Sequence, residues 1–187
     1  MTILQTCGNI AIVGKPNVGK STLINAITGE PISIATHKAH TTRHCILGIK
    51  TRQDVQLIFT DTPGIHTQRE KLLNTKMNRA AAQTINYVDA ILWLTDRHKW
   101  DDDDKRVATF LSSANCPVIW CINKIDQVNN KLDFEQHTQD IAKTRPWINY
   151  ILPISARTEF NLPELEEIII SLCPKAPHCF PEDVITN

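Results

Sequence analysis

Eight consecutive residues near the N-terminus have the types and spacing of a phosphate-binding loop. They are Gly14, Lys15, Pro16, Asn17, Val18, Gly19, Lys20 and Ser21, and they fit GxxxxGK[ST] in full. Backbone N–H groups around Gly19 can surround a triphosphate because no Cβ intrudes there, and the helix that follows adds partial positive charge. We expect Lys20 on the β- and γ-phosphates, the Ser21 hydroxyl on Mg²⁺, and Thr22 in the same binding set.

A second motif, Asp61-Thr62-Pro63-Gly64, follows an apolar strand predicted for residues 55–60. An aspartate at the carboxyl end of such a strand faces the ligand crevice of the sheet, so Asp61 is expected to hold Mg²⁺ through a water. The amide of Gly64 would meet the γ-phosphate, and loss of that phosphate would release the following loop. Taken alone, these residues are a common turn, and the interpretation depends on the phosphate-binding loop upstream.

A third motif, Asn123-Lys124-Ile125-Asp126, predicts which base is bound. The Asp126 carboxylate can accept hydrogen bonds from guanine N1–H and the N2 amino group, whereas adenine lacks this pair of donors. Asn123 would tie the base loop to the phosphate-binding loop, and the Lys124 stem would cover the purine ring. The first three motifs, in this order along the chain, together predict a guanine nucleotide, GTP or GDP, bound with Mg²⁺.

The fourth motif, Ser155-Ala156-Arg157, is the least specific. It would close over the guanine O6 through the backbone amide of Ala156, and a plain loop remains the alternative.

The pattern of apolar residues predicts the scaffold that positions these motifs. Short β-branched runs alternate with longer helical stretches, which is typical of a mostly parallel sheet covered on both faces. We therefore predict an α/β fold of the P-loop NTPase class, Ras-like and three-layered, with six strands of which one is antiparallel. The predicted strands are 9–13, 45–51, 55–60, 89–95, 117–122 and 150–154, and the predicted helices are 19–27, 78–86, 101–112, 132–143 and one that Asn161 caps.

Composition narrows the class of protein. The chain has 187 residues, 42% of them apolar, and balances 20 basic against 20 acidic residues, which argues against a surface that grips nucleic acid by itself. No apolar stretch approaches the roughly 20 residues that span a bilayer, so we expect a soluble protein. The six cysteines form no CxxC pair and are interpreted as reduced thiols of a cytosolic protein. The four tryptophans are expected to pack in the core, and Asp101 to Asp104 to form a solvated helix start.

The four motifs together resemble those of the translation-factor-like GTPases. Three stretches are particularly similar to the Era family, namely residues 14–21, 38–44 and 180–183. The resemblance to this family extends over nearly the whole chain. This resemblance implies that Thr42 is a Mg²⁺ ligand, whereas the residues alone leave Thr41 and Thr42 equal. It also implies that residues 1–175 are a GTPase domain and 176–187 the start of a linker to an absent C-terminal KH domain.

For the complete protein, the resemblance implies binding of 16S rRNA through the KH domain and a role in assembly of the 30S subunit. It further implies a cytoplasmic location with peripheral association at the inner membrane, and we expect a monomer. A related GTPase of the tRNA-modification type or the tandem ribosome-assembly type is an alternative. Residues 38–44 and 180–183 argue against this alternative family.

Hydrolysis requires an explanation because Ile65 stands where many GTPases place the glutamine that orients the attacking water. We therefore predict slow turnover with Lys20, Thr42 and Gly64 in catalytic positions, and a K⁺ ion held by Asn17 in place of an arginine finger. The alternatives are that Asn17 only hydrogen-bonds its own loop, that Arg43 is an internal finger, or that the domain binds GTP with negligible hydrolysis.

Overall fold

The structure is a computed structural model that describes residues 5–29, 46–61, 87–97 and 100–181. Within this part of the chain, the elements in order are β1 (Thr6–Gly14), α1 (Lys20–Thr28), β2 (Ile46–Arg52), β3 (Val55–Asp61), β4 (Ala90–Asp96), α2 (Asp102–Leu111), β5 (Val118–Asn123), α3 (Lys131–Thr144), β6 (Tyr150–Pro153) and α4 (Leu162–Leu172), with a 3₁₀ turn at Ile125–Gln127.

The strands form one six-stranded sheet in the order β2-β3-β1-β4-β5-β6. Neighbouring strands are parallel except β2, which pairs antiparallel with β3. The carboxyl ends of the five parallel strands therefore share one edge of the sheet, which is where α/β folds bind ligands. The predicted fold class and the predicted antiparallel strand are confirmed.

Strand β1 lies at the centre of the sheet, and its side chains alternate between two hydrophobic cores. Ile10 and Ile12 lie in the core shared with α1 and α4, whereas Ala11 and Val13 lie in the core shared with α2 and α3. A continuous apolar strand is what burial on both faces requires. The three layers follow from this arrangement.

The four tryptophans pack together in the second core, as the sequence predicted. The ring of Trp93 lies 4.7 Å from that of Trp100, 5.9 Å from that of Trp120 and 6.0 Å from that of Trp147. The Trp120 indole N–H donates to the Thr95 hydroxyl at 2.8 Å, so this side chain is both buried and hydrogen-bonded.

Two local predictions differ from the structure. Strand β1 begins at Thr6 rather than residue 9, because parallel pairing with β3 extends to Thr6 opposite Val55 and outweighs the weak strand propensity of these first residues. Asn161 does precede α4, but with φ 59° its side chain makes no cap and donates instead to the Pro153 carbonyl at 2.9 Å.

Other boundaries agree within one or two residues, and Gly29 ends α1 in the left-handed conformation expected of a C-cap glycine. The helix predicted for 78–86 lies outside the described residues. In the described ranges, no helix is both long and apolar enough to cross a bilayer.

The chain after α4 returns along the start of β1. The Cys7 amide donates to the Pro174 carbonyl at 3.3 Å, and the Ala176 amide donates to the Gln5 carbonyl at 3.0 Å. The buried Gln56 side chain then accepts from the amides of Cys179 and Phe180, both at 2.9 Å. The described part of the stretch predicted as a linker therefore packs on the sheet.

Candidate functional site

The four sequence motifs lie together at the carboxyl edge of the sheet, as far as they are described. Gly14 ends β1, Asp61 ends β3 and Asn123 ends β5. Ser155 to Arg157 follow β6 at the same edge. Thr42, Thr62, Pro63 and Gly64 lie outside the described residues, so their predicted roles stay predictions.

The phosphate-binding loop connects β1 to α1 and contains a left-handed glycine. Gly19 has φ 103°, and a Cβ added there would lie 2.3 Å from the Asn123 side-chain nitrogen. Any other residue at 19 would therefore be strained and would collide with the base motif. Asn17, with φ 64°, and Pro16 are exposed, whereas Val18 is buried and anchors the loop.

The Lys20 side chain lies across this loop. Its ammonium donates to the Gly14 carbonyl at 2.7 Å and to the Lys15 carbonyl at 2.8 Å. Burial lowers the pKa of Lys20, and the charge of Asp61 opposes that shift. Ser21 and Thr22 follow in the first turn of α1 and are exposed, so their hydroxyls are accessible where the helix dipole favours an anion.

The residues present fit a Mg²⁺ ion. Asp61 Oδ1 is buried and has no hydrogen-bond partner among the described residues, and a buried carboxylate oxygen without a partner is costly unless a cation compensates it. Asp61 and the hydroxyl of Ser21 are hard oxygen donors of the kind Mg²⁺ prefers.

Asn123 joins three of the motifs. Its side-chain nitrogen donates to the Val18 carbonyl at 2.8 Å in the phosphate-binding loop, and its side-chain oxygen accepts from the Ala156 amide at 3.0 Å. The side chain is 2% exposed, so both bonds are shielded from water and fix the relative positions of these loops.

Asp126 is held by the fourth motif. The Ser155 hydroxyl donates to Asp126 Oδ1 at 2.7 Å and the Arg157 guanidinium donates to Oδ2 at 2.8 Å. The Ser155 hydrogen bond, supported by the charge of Arg157, holds the pKa of Asp126 below its ordinary value. The carboxylate is therefore ionised at neutral pH and suited to accept hydrogen bonds from a base.

Lys124 bridges the base motif to two other parts of the site. Its ammonium donates to the Asn17 carbonyl and to Asp96 Oδ2, both at 2.8 Å. Asp96 was missed by the sequence analysis, although its place at the end of the apolar strand β4 is the signal that identified Asp61.

The helix start at 101–104 was expected to be solvated, but two of its aspartates pair with Lys15. Its ammonium lies 2.6 Å from Asp101 Oδ2 and 2.8 Å from Asp104 Oδ2. Asp104 is only 3% exposed, and Asp101 and Asp104 also form the capping box of α2. The Lys15 side chain thus turns away from the crevice, while its backbone stays in the phosphate-binding loop.

The assembled edge can hold an anion and a purine together. The loop N–H groups, Lys20 and the start of α1 offer positive charge, and Ser155 and Arg157 hold the Asp126 carboxylate at the same edge. Residues 9–124 match the protein family described as 50S ribosome-binding GTPase. The chain belongs to this family of GTPases.

Two relatives bear the same name, which agrees with the predicted Era family. The chain is 43% identical to GTPase Era of Vibrio vulnificus over 183 residues, which is 98% of the chain and 57% of that protein. It is 42% identical to GTPase Era of Pseudomonas aeruginosa over 181 residues, which is 97% of the chain and 59% of that protein. The chain therefore spans a little over half the length of these curated relatives.

Solved structures of Era have the same fold. A crystal structure of Era with MgGDPNP and nucleotides 1506–1542 of 16S ribosomal RNA superposes with a TM-score of 0.81, 40% identity, and coverage of 98% of this chain and 62% of that one. A single-substitution variant of Aquifex aeolicus Era bound to GDP·AlF4⁻ gives 0.80 at 40% identity with the same coverages.

Proposed function

We propose that this chain binds GTP and GDP and hydrolyses GTP as a Mg²⁺-dependent molecular switch. The observation that carries the proposal is the Asn123 side chain, which connects the phosphate-binding loop to the Ala156 amide at 2.8 Å and 3.0 Å. A phosphate site and an ionised carboxylate are thereby held in one frame, which is what recognition of a guanine nucleotide needs.

The proposal gives the motif residues the following roles. Lys20 and the backbone N–H groups of the phosphate-binding loop, other than at Pro16, would neutralise the phosphates. Ser21, Asp61 and Thr42 would supply oxygens to Mg²⁺, which would stabilise charge on the transferring phosphoryl group. Gly64 senses the γ-phosphate. Lys124 covers the purine, and the amide of Ala156 binds its O6.

We further propose that Asn17 helps to hold a K⁺ ion near the phosphates. Ile65 cannot orient water, so another source of positive charge is needed. Among the described residues, the Asn17 side chain makes no hydrogen bond to its own loop; only its backbone carbonyl is engaged, by Lys124. This supports K⁺ binding over the alternative in which Asn17 only stabilises the turn.

For the longer protein, we propose action in 16S rRNA processing and 30S subunit assembly. The similarity to Era, one structure of which contains a 16S rRNA fragment, supports this role. In this proposal residues 1–175 are the GTPase domain and 176–187 begin the linker to a KH domain that binds the RNA. We also propose that the longer protein is a cytoplasmic monomer that attaches peripherally to the inner membrane.

Calorimetric titration of the chain with GDP, GTP and ATP, with and without Mg²⁺, tests the core of this function. We expect binding of both guanine nucleotides and weakening by at least about 1,000-fold for ATP, because adenine leaves the Asp126 carboxylate unpaired. Equal affinity for ATP would reject the proposal.

Phosphate release tests hydrolysis separately from binding. Single-turnover release with Mg²⁺ in KCl and in NaCl of equal ionic strength should be faster in KCl, and Asn17→Ala should remove the difference. Equal rates in the two salts would reject the K⁺ site, and tight binding without any release would favour a domain that uses GTP only as a conformational ligand.

A further inference from the structure

Two cysteine sulfurs lie in contact at the edge of the sheet opposite the nucleotide crevice. Cys7 is near the start of β1 and is 5% exposed, and Cys179 is exposed in the segment that follows α4. Their Sγ atoms are 3.5 Å apart, although the residues are 172 positions apart in sequence.

The position of Cys179 is fixed by its backbone. Gln56 Oε1 accepts the amides of Cys179 and Phe180, and Gln56 Nε2 donates to the Phe180 carbonyl at 2.9 Å. Gln56 is fully buried, and its Oε1 also lies 3.8 Å from Cys7 Sγ. One buried side chain therefore holds both cysteines, so their proximity is built into the fold.

Cys173 and Cys121 have different surroundings from this pair, although Cys173 lies close enough to Cys7 for the two thiols to interact electrostatically. Cys173 Sγ donates to the Ile169 carbonyl at 3.1 Å, within its own helix turn, and Cys121 is fully buried in β5. No group of three or more His, Cys, Asp or Glu side chains within the described ranges is arranged to hold a metal. The contact between Cys7 and Cys179 therefore involves two thiols and no metal-binding group.

We propose that Cys7 and Cys179 are an oxidisable dithiol that closes to a disulfide in the folded protein when it meets a peroxide. In the first step the Cys179 sulfur attacks one peroxide oxygen, the O–O bond breaks, and the departing hydroxide takes the thiol proton to become water. In the second step the Cys7 sulfur attacks the sulfenic sulfur of Cys179, the S–O bond breaks, and the second hydroxide takes the Cys7 proton. Two thiols and one peroxide thus give one disulfide and two waters.

The order of these steps follows from exposure. Cys179 is exposed and meets the oxidant first, whereas burial raises the pKa of the Cys7 thiol to about 11 and keeps it protonated at neutral pH. Cys7 reacts second because the sulfenic sulfur is held beside it, and such proximity replaces a bimolecular encounter.

The crosslink would fasten the C-terminal segment covalently to the first strand. Residues 174–181 are attached to the sheet through hydrogen bonds such as those to Pro174, Ala176 and Cys179, and a disulfide would make their attachment independent of those bonds. The direction in which the chain leaves the domain at this segment would then depend on redox state. This inference does not depend on the proposed nucleotide chemistry.

Oxidation of the full chain with hydrogen peroxide, followed by tryptic mapping without reduction, tests the proposal. Cleavage after Lys20 and Lys175 gives peptides 1–20 and 176–187, in which Cys7 and Cys179 are the sole cysteines. We expect these two peptides joined, two of the six thiols lost, and both restored by dithiothreitol. Cys179→Ser should abolish the joined species, and Cys173→Ser, the matched control, should leave it unchanged.

The rate of disulfide formation in the folded chain is compared with the rate in the chain unfolded in urea. This comparison tells whether the fold brings the two cysteines together or whether they react as any two exposed thiols would. We expect the joined peptides to form at least about tenfold faster in the folded protein, because only folding brings the sulfurs together. Equal rates in the two states, a Cys7–Cys173 link, or Cys179 oxidised to the sulfinic acid while Cys7 stays reduced would each overturn the proposal.

Discussion

At the scale of single residues, the carboxylate proposed to recognise the base has two hydrogen-bond donors within the protein. Ser155 and Arg157 each donate to one oxygen of Asp126. The Arg157 side chain is 72% exposed and can turn into water at little cost, whereas the Ser155 hydroxyl is fixed in a buried residue. A purine therefore competes with the arginine, and the serine keeps the carboxylate oriented.

Asp126→Asn should change which purine is bound. An amide presents one acceptor and one donor, which suits the N1–H and C2 carbonyl of xanthine and leaves the guanine amino group facing a donor. We expect GDP binding to weaken on the order of 100-fold and xanthosine diphosphate binding to appear. Titration calorimetry with both nucleotides measures this. Arg157→Gln is the control, and a loss of GDP binding there of similar size would contradict the assignment.

Gly19→Ala should abolish nucleotide binding through its Cβ. The new atom would lie 2.3 Å from the Asn123 side-chain nitrogen at φ 103°, so the loop must shift away from Asn123. Gly29→Ala is the matched control, since its φ is also positive, 78°, but nothing lies within 4 Å of the added atom. We expect the control to lose about 1 kcal/mol of unfolding free energy and to bind GDP normally. Normal GDP binding by both variants would show that the phosphate-binding loop does not need glycine at position 19.

At the scale of elements, helix α2 supports the phosphate-binding loop. Asp101 and Asp104 cap the helix and at the same time bind the ammonium of Lys15. The helix start is thus one fixed point of the loop and Asn123 is the other. Both contacts restrain the phosphate-binding loop through residues distant from it in sequence.

Lys15→Met should destabilise the domain by about 3 kcal/mol, because it leaves the Asp104 carboxylate, 5% exposed, without its cation. Lys50→Met is the matched control. Lys50 is equally exposed at 23%, but its partner Glu166 is 21% exposed and can turn to water, so the cost should stay within about 1 kcal/mol. Urea unfolding compares the two variants, and equal losses would contradict the anchoring role of Asp104.

The same substitution has a second readout that general destabilisation would not produce. The hydrogen bond from Lys15 is the main reason that the pKa of Asp101 is lowered to about 2. In Lys15→Met this pKa should rise toward the ordinary value of 3.8. An NMR titration of the Asp101 carboxyl measures it, and an unchanged pKa would contradict the pairing.

The motifs and most elements were predictable because their signals are local. Strand periodicity and the spacing of Gly14 to Ser21 depend only on neighbouring residues, and the crossover pattern places the carboxyl ends of parallel strands together. Contacts between distant residues leave no local pattern. Lys15 pairs with a residue 89 positions away, and Gln56 holds residues more than 120 positions away, so neither partner was foreseen. The burial of Asp104 was missed for the same reason.

At the scale of the whole molecule, one buried side chain fixes the end of the described C-terminal segment. Gln56→Leu should loosen the segment at Cys179 and Phe180, because their amides lose a buried acceptor and exchange it for water. Hydrogen exchange should speed up at these amides by about tenfold, corresponding to roughly 1.4 kcal/mol of lost local stability. Thr51→Val is the control, since it removes one partner of Gln56 and leaves the segment bonded. Exchange unchanged in Gln56→Leu would show that the segment is held by other contacts.

The fluorescence of the tryptophan cluster should be sensitive to the position of the phosphate-binding loop. The ring of Trp100 lies edge-on to that of Trp120 at 5.0 Å and tilted against that of Trp93 at 4.7 Å. The next residue, Asp101, binds Lys15 of the phosphate-binding loop. Closely packed indoles exchange excitation energy, so a small displacement of Trp100 alters the emission of the whole group. Intrinsic fluorescence should therefore follow movements of the phosphate-binding loop in real time, without any attached dye.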